Sequence, residues 1–384
     1  MSLSFIFEQD LNALKDMRKY CFSIDDAAAN RSLENRYTPE NYIGRFEDGR
    51  LAASAEICPY NIYFNRSVVG MGGIAWVASF PEYRNKGYVR DILQHSLTLM
   101  RERRQYLSFL GPFSYEFYRR MGWGLSFLFY EFTVDMKHAP QIKTCKYNPE
   151  PYLSNRLEDM IRLYQQTQVS YNGPVLRDSN VFEKKVQGRH CYLFYSTAGE
   201  LKGYIVFNIQ GEAFKIQEMI AVDQGVKKEM MSFAGKHSAQ VKQIQFNTYN
   251  KQDLFLFGEH YSNRYSLKTS MQARVVDVTE ILKLMKPATN QKYKIIIKVN
   301  DILAPWNHHT FLVTVDNQLV FVAIDDTLEP DLCCDIDRFS QLAMGAMSAQ
   351  AAAEAGFVEI KPGTDINALN NLFYERSLAL YDYF

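Results

Sequence analysis

Residues 72–90 read GGIAWVASFPEYRNKGYVR, and the fold turns on how this stretch is parsed. Ile74 to Ala78 is an apolar run with the length and bulk of a buried strand. Pro81 breaks it, a polar turn carrying Arg84, Lys86 and Gly87 follows, and apolar residues then recur at Val89, Ile92, Leu93, Leu97 and Met100. That spacing predicts a helix with one buried stripe. A strand feeding a basic turn and then a helix start gathers unpaired backbone N–H groups and the positive end of a helix dipole at one point. Such a point suits a phosphate. Gly87 lets the main chain approach an anion where a Cβ would obstruct it.

The segment Arg84-Asn85-Lys86-Gly87-Tyr88-Val89 resembles the Arg-x-x-Gly-x-Gly/Ala pyrophosphate loop of the GNAT acyltransferases, which bind acetyl coenzyme A. Val89 stands where Gly or Ala is usual. Further on, Phe117-Tyr118-Arg119-Arg120-Met121-Gly122-Trp123 resembles the Tyr-x-x-x-Gly-aromatic segment of the same enzymes. Together the two resemble the Eis (enhanced intracellular survival) type, whose members share a non-glycine residue at the end of the loop. The resemblance implies an α+β (mixed α/β) chain of tandem GNAT folds followed by a sterol carrier protein-like domain. The boundaries expected are 1–145 for a catalytic domain, 146–278 for a degenerate copy and 279–384 for the last domain.

It also implies the chemistry. Main-chain N–H groups of Lys86, Gly87, Tyr88 and Val89 would hold the diphosphate of acetyl coenzyme A, with Arg84, Asn85 and Lys86 completing the loop. The edge from Val77 through Ala78 to Ser79 would pair with pantetheine and polarise the thioester carbonyl. Tyr118 occupies the family's general-acid position, and as a phenol it suits a leaving thiolate; a core aromatic is its other reading. The acetyl acceptor implied is a primary amine of aminoglycoside, polyamine or lysine type, and family members assemble as hexamers. The competing function is a catalytically idle GNAT shell used for binding or as a scaffold.

The composition is compatible with this. A chain of 384 residues is long for one domain. Its 43 basic and 43 acidic residues cancel, so no global field recruits nucleic acid or an anionic membrane. Six cysteines lack the short paired spacings of a zinc site or a disulfide scaffold, and no metal site is expected. Without a leader pattern or a membrane-length apolar run, a cytoplasmic protein is expected.

Around the organising stretch, residues 8–36 predict a helix and then an Asn-rich segment that covers the acceptor site in the GNAT resemblance. Short strands are expected at Tyr42–Phe46, Arg50–Ile57, Asn61–Phe64 and Tyr106–Leu110, a helix at Ser114–Arg120, and one long strand at Leu125–Val134. Residues 140–151 are polar and proline-punctuated, a linker pattern. Strand and helix patterns from 157 to 248 then repeat the order of the first domain, with Asp223-Gln224-Gly225-Val226-Lys227 in place of the phosphate loop. That loop opens with an acid and lacks the Arg-x-x-Gly spacing, which argues against coenzyme binding there. In the last third, a hairpin turning at Asp316-Asn317 precedes one small-residue helix over Phe339–Ala355.

The chain ends Ala379-Leu380-Tyr381-Asp382-Tyr383-Phe384. Three aromatics in four residues suit an anchor, since apolar termini are more stable packed than solvated. The Eis resemblance instead makes the free carboxylate of Phe384 the general base. Asp25 and Asp26 could hold a cationic amine, or be ordinary acids at a helix end.

Overall fold

The computed structural model describes residues 2–34, 37–260 and 262–383. The chain builds three mixed sheets, with helices packed on them. The first receives strands Ser2–Phe5 (β1), Tyr42–Glu47 (β2), Arg50–Phe64 (β3), Ser67–Ser79 (β4), Gln105–Leu110 (β5) and Gly124–Leu125 (β6). Helices Leu11–Phe22 (α1) and Asp26–Leu33 (α2) follow β1, Tyr88–Glu102 (α3) links β4 to β5, and Tyr115–Arg120 (α4) follows β5. The expected runs Arg50–Ile57 and Asn61–Phe64 are one strand, because β4 supplies hydrogen-bond partners through Cys58, Pro59 and Tyr60 without interruption. The Asn-rich segment after α1 folds as α2, which Asp25 caps by accepting from the Ala28 N–H at 2.7 Å.

The chain then leaves this sheet. Leu128–Asp135 (β7) joins a second sheet with Tyr147–Pro151 (β8), His190–Ser196 (β9), Leu201–Gln210 (β10), Ala213–Ala221 (β11), Gln243–Thr248 (β12) and Arg264–Thr269 (β13). Its helices are Leu157–Gln168 (α5), Ser179–Val186 (α6), Gln224–Gly235 (α7) and Asp253–Phe257 (α8). Gln272–Val275 (β14) then returns to the first sheet, between β5 and β6. Each of the two sheets thus has a strand beside its parallel pair that comes from the far side of the other. The two crossings bond to each other: Met271 O accepts from the Phe127 N–H at 3.1 Å, and Phe127 O from the Ser270 N–H at 2.9 Å.

Two expectations are corrected here. Leu125–Val134 is not one strand, because Ser126 and Phe127 form the crossing between sheets. The proline-punctuated segment 140–151 ends in β8, an edge strand on β9, where prolines are tolerated. Sheet membership accordingly does not follow a cut between residues 145 and 146.

The third sheet, in order β17-β16-β15-β18-β19, comprises Tyr293–Asn300 (β15), Thr310–Asp316 (β16), Leu319–Ile324 (β17), Leu332–Asp335 (β18) and Glu359–Ile360 (β19). Val278–Lys283 (α9) precedes it. The hairpin turns at Asn317-Gln318, both at positive φ, one residue beyond the expected pair. That is the turn geometry matching strand twist. The single helix expected over Phe339–Ala355 is instead Ile336–Met344 (α10) and Ala349–Glu354 (α11), parted at Gly345 with φ +80. Ile366–Leu372 (α12) precedes the tail. One core runs from Phe109 and Phe127 through Val275 to Ile297, Phe339 and Leu380, so the third domain is welded to the first.

Candidate active site

The site begins where two parallel strands part. β4 pairs with β5 from Gly70 opposite Gln105 to Ile74 opposite Leu110, and there the pairing stops. β4 continues to Ser79, held on its other side by β3. From Ala75 onward its β5-facing edge has no strand neighbour among the described residues. A bulge falls at this point: Ser54 opposes Ala78 while Glu56 opposes Ala75, and Trp76 takes φ +51. A bulky residue rarely adopts that conformation, so its surroundings must enforce it. The Arg18 guanidinium lies 4.4 Å from the Trp76 ring, and Phe22 meets it edge-on at 4.8 Å. Arg18 is fully buried and pairs with Glu56 at 3.0 Å. The available sequence signal for Arg18 is its place on the buried stripe of α1, beside Leu14 and Met17.

The loop follows. Asn85 (φ +63) and Gly87 (φ +84) turn the chain into α3, whose N-terminus carries no side-chain cap. Gly87 has no side chain with which to bond the first turn. A Cβ at Gly87 would meet nothing within 4 Å, so the chain's own packing does not demand glycine there. The backbone rotation does. Lys86 is committed elsewhere, donating to Glu47 at 3.0 Å, while the Tyr88 hydroxyl donates to the same carboxylate at 2.7 Å. These two bonds, Tyr88 first, hold Glu47 below the ordinary carboxylate range. Arg84 Nε reaches Ser79 O at 3.4 Å and is otherwise exposed. Val89 is half-buried against the core beneath.

Tyr118 lies in that same core with Ile74, Leu110 and Tyr88. Phe113 and Phe117 pack on its ring at 5.4 and 5.1 Å. Its hydroxyl makes no hydrogen bond to a described residue, yet is not among the buried polar atoms cut off from solvent. Burial raises its pKa above the ordinary phenol value. The returning strand β14 fixes its helix, a role with no counterpart in the sequence reading. Gln272 Nε2 donates to Tyr115 O at 3.1 Å and Trp123 O at 2.6 Å. Arg274 donates to Met121 O at 2.6 Å and pairs with Asp301 of the third domain at 2.7 Å.

The tail is packed as far as Leu380, and Tyr383 beyond it is exposed. Ala379 and Leu380 are fully buried, Asp382 pairs with Arg177 at 2.8 Å, and the Tyr383 hydroxyl lies 3.3 Å from Ser270 Oγ. Asn172 ties this segment to the other domains, accepting from the Asn65 N–H at 2.7 Å and donating to Met344 O at 2.9 Å. Phe384, the candidate base, lies outside the described residues. Asp25 serves as a cap and Asp26 pairs with Lys19 at 2.9 Å.

The second domain repeats the parting. β11 and β12 pair only from Ala213 opposite Gln243 to Ile216 opposite Phe246. Here Asp223 caps α7, accepting from the Val226 N–H at 2.9 Å. Its carboxylate supplies the side-chain cap that Gly87 cannot give to α3.

The chain matches the acetyltransferase (GNAT) domain over residues 4–126, a second acetyltransferase (GNAT) domain over 173–275 and the sterol carrier protein domain over 278–380. It is therefore a tandem-GNAT acetyltransferase ending in a sterol carrier protein domain. The arrangement is Eis-like: Eis1 from Mycobacterium abscessus has this fold along the entire chain, at a TM-score of 0.81, 16% identity and full coverage of both chains. A conserved protein from Enterococcus faecalis V583 superposes at 0.89 with 22% identity, covering 100% of this chain and 99% of its own. A GCN5-related N-acetyltransferase from Anabaena variabilis ATCC 29413 superposes at 0.88 with 19% identity and full mutual coverage. No curated protein matches the chain by sequence. Among the described residues no cluster of potential metal ligands occurs, and no helix is long and apolar enough to cross a membrane.

Proposed function

We propose that the first domain transfers an acetyl group from acetyl coenzyme A directly to a primary amine of aminoglycoside, polyamine or lysine type. One observation carries the reading: the parted β4 edge, the uncapped N-terminus of α3 and Tyr118 all border one core. In this reading the amides of residues 86–89 hold the diphosphate and the edge at Val77, Ala78 and Ser79 pairs with pantetheine. The cofactor supplies an activated acyl thioester.

The amine nitrogen bonds to the acyl carbon as the carbon–sulfur bond breaks. The departing sulfur takes the Tyr118 proton, and the nitrogen gives its own to the base, assigned to the Phe384 carboxylate. A phenol above pKa ~10 gives little to a thiolate of pKa ~8.5 in water. Inside the cleft the thiolate is desolvated too, which raises its proton affinity. Aromatic Tyr20, Phe22, Trp76 and Phe80 at the bulge offer faces for a cationic acceptor.

The reading extends to a homo-hexamer in a reducing cytoplasm; the six free cysteines and the exposed apolar edge of β17 at Leu319, Phe321 and Ile324 support it. Coenzyme thiol release with aminoglycosides, polyamines and lysine peptides tests the activity. Turnover on one class supports it. Bound acetyl coenzyme A with no turnover on any amine supports the idle-shell alternative.

A further inference from the structure

A cavity lies away from Tyr118, in the parted cleft of the second domain. It measures about 410 Å³ and is walled by β11, β12, the start of α7 and the tail residues Leu380, Tyr381 and Tyr383. That volume is in the range of ligand sites, roughly 300–1,000 Å³. The chemistry of the wall selects among ligands. Gln168 is 4% exposed and lines the cavity, yet its Oε1 accepts no hydrogen bond. Gln224 Oε1, also on the wall, is likewise buried and unpartnered. Buried amide oxygens without a partner are costly, so each calls for a donor.

The charged groups are spoken for or acidic. Lys227 donates to both oxygens of Asp253 at 3.0 and 2.8 Å, and Glu218 takes two bonds from Arg177 at 2.8 and 2.6 Å. Asp223 closes the end of α7 that would otherwise attract an anion. The remaining polar wall is neutral, the side-chain amides of Gln217, Asn247, Asn250 and Gln252, beside the rings of Tyr171, Tyr249 and Tyr381.

We propose that this cleft binds an uncharged, multiply hydroxylated small molecule of sugar type, whose hydroxyls bond the wall amides and satisfy Gln168 and Gln224 as these side chains turn into the cleft, while its C–H faces pack on the tyrosines. The site requires no coenzyme and does not depend on the catalytic reading. Saturation-transfer NMR of the full-length protein with D-glucose, D-maltose and D-glucose 6-phosphate tests it, with saturating acetyl coenzyme A present to occupy the first domain. A neutral sugar should show transfer and its phosphate should not. Gln168→Leu and Gln224→Leu should each weaken binding about 5-fold, the loss of one neutral hydrogen bond. Gln168→Leu should also raise the thermal midpoint, since an unpaired buried acceptor disappears. If Gln168→Leu does not fold, Gln224→Leu, at the half-exposed rim, carries the comparison. No transfer from either neutral sugar, equal binding of the phosphate, or unchanged affinity in the variants would overturn the proposal.

Discussion

Replacing Gly87 separates two reasons for a glycine at the mouth of α3. At φ +84 an alanine incurs left-handed strain of about 1–2 kcal/mol. Nothing lies within 4 Å of its Cβ, so no clash adds to that. Gly87→Ala should therefore lower the thermal midpoint by only a few degrees, about 2–4 °C per kcal/mol for a unit this size. Gly87→Asn should recover most of that loss, because Asn tolerates the left-handed region. Coenzyme affinity should behave differently. If the diphosphate sits on this turn, any Cβ there displaces it. Forfeiting two charge-assisted bonds at about 1.5–3 kcal/mol each raises Kd by roughly 10²–10⁴-fold in both variants. Calorimetric titration with acetyl coenzyme A reads the affinity, and thermal unfolding reads the strain. Wild-type affinity in Gly87→Asn would refute the reasoning, since glycine would then serve the backbone alone.

Tyr118→Phe should reduce kcat by 10²-fold or more, the usual worth of general acid catalysis, and leave coenzyme Kd unchanged; an unaltered kcat removes Tyr118 from the acid role. Amidating Phe384, or extending the chain beyond it, should cut the rate if its carboxylate is the base, whereas an anchor tolerates amidation. Asn172→Ala leaves the Asn65 N–H and Met344 O unpaired in the interior, at about 1–3 kcal/mol each, and should lower the unfolding midpoint in denaturant. Glu218 gives a pH test. Burial pushes its carboxyl up, but Arg177 and Lys185 more than offset this and hold it at about 2. Its folded pKa lies below the unfolded value, so its contribution is complete above pH ~5 and lost as pH falls toward 2, roughly 3 kcal/mol in all. Gln in its place should flatten that acid limb of stability, and an unchanged limb would contradict the assignment.

Local pattern carried much of this chain. The helical stripe after Gly87, the strand before it and the repeat of the same order in the second domain follow from periodicities that a single segment contains. The acid at the start of α7 was legible too, and an acid there acts as a cap wherever the helix packs. What local pattern could not carry was partner choice. β14 is four residues, all buried, and nothing in Gln-Ala-Arg-Val selects the first sheet over the second. The crossings at Ser126-Phe127 and Ser270-Met271 make that selection by bonding to each other, far apart in sequence. From it follow Gln272 and Arg274 on the Tyr118 helix, while Arg18 on Trp76 is likewise a contact between distant segments. Sequence alone determined which segments could be strands, helices and loops, since those depend on near neighbours. Tertiary structure decided which strands pair, where β4 and β5 part and which cleft stays open, because those depend on hydrogen bonds and packing between residues that only the folded chain brings together.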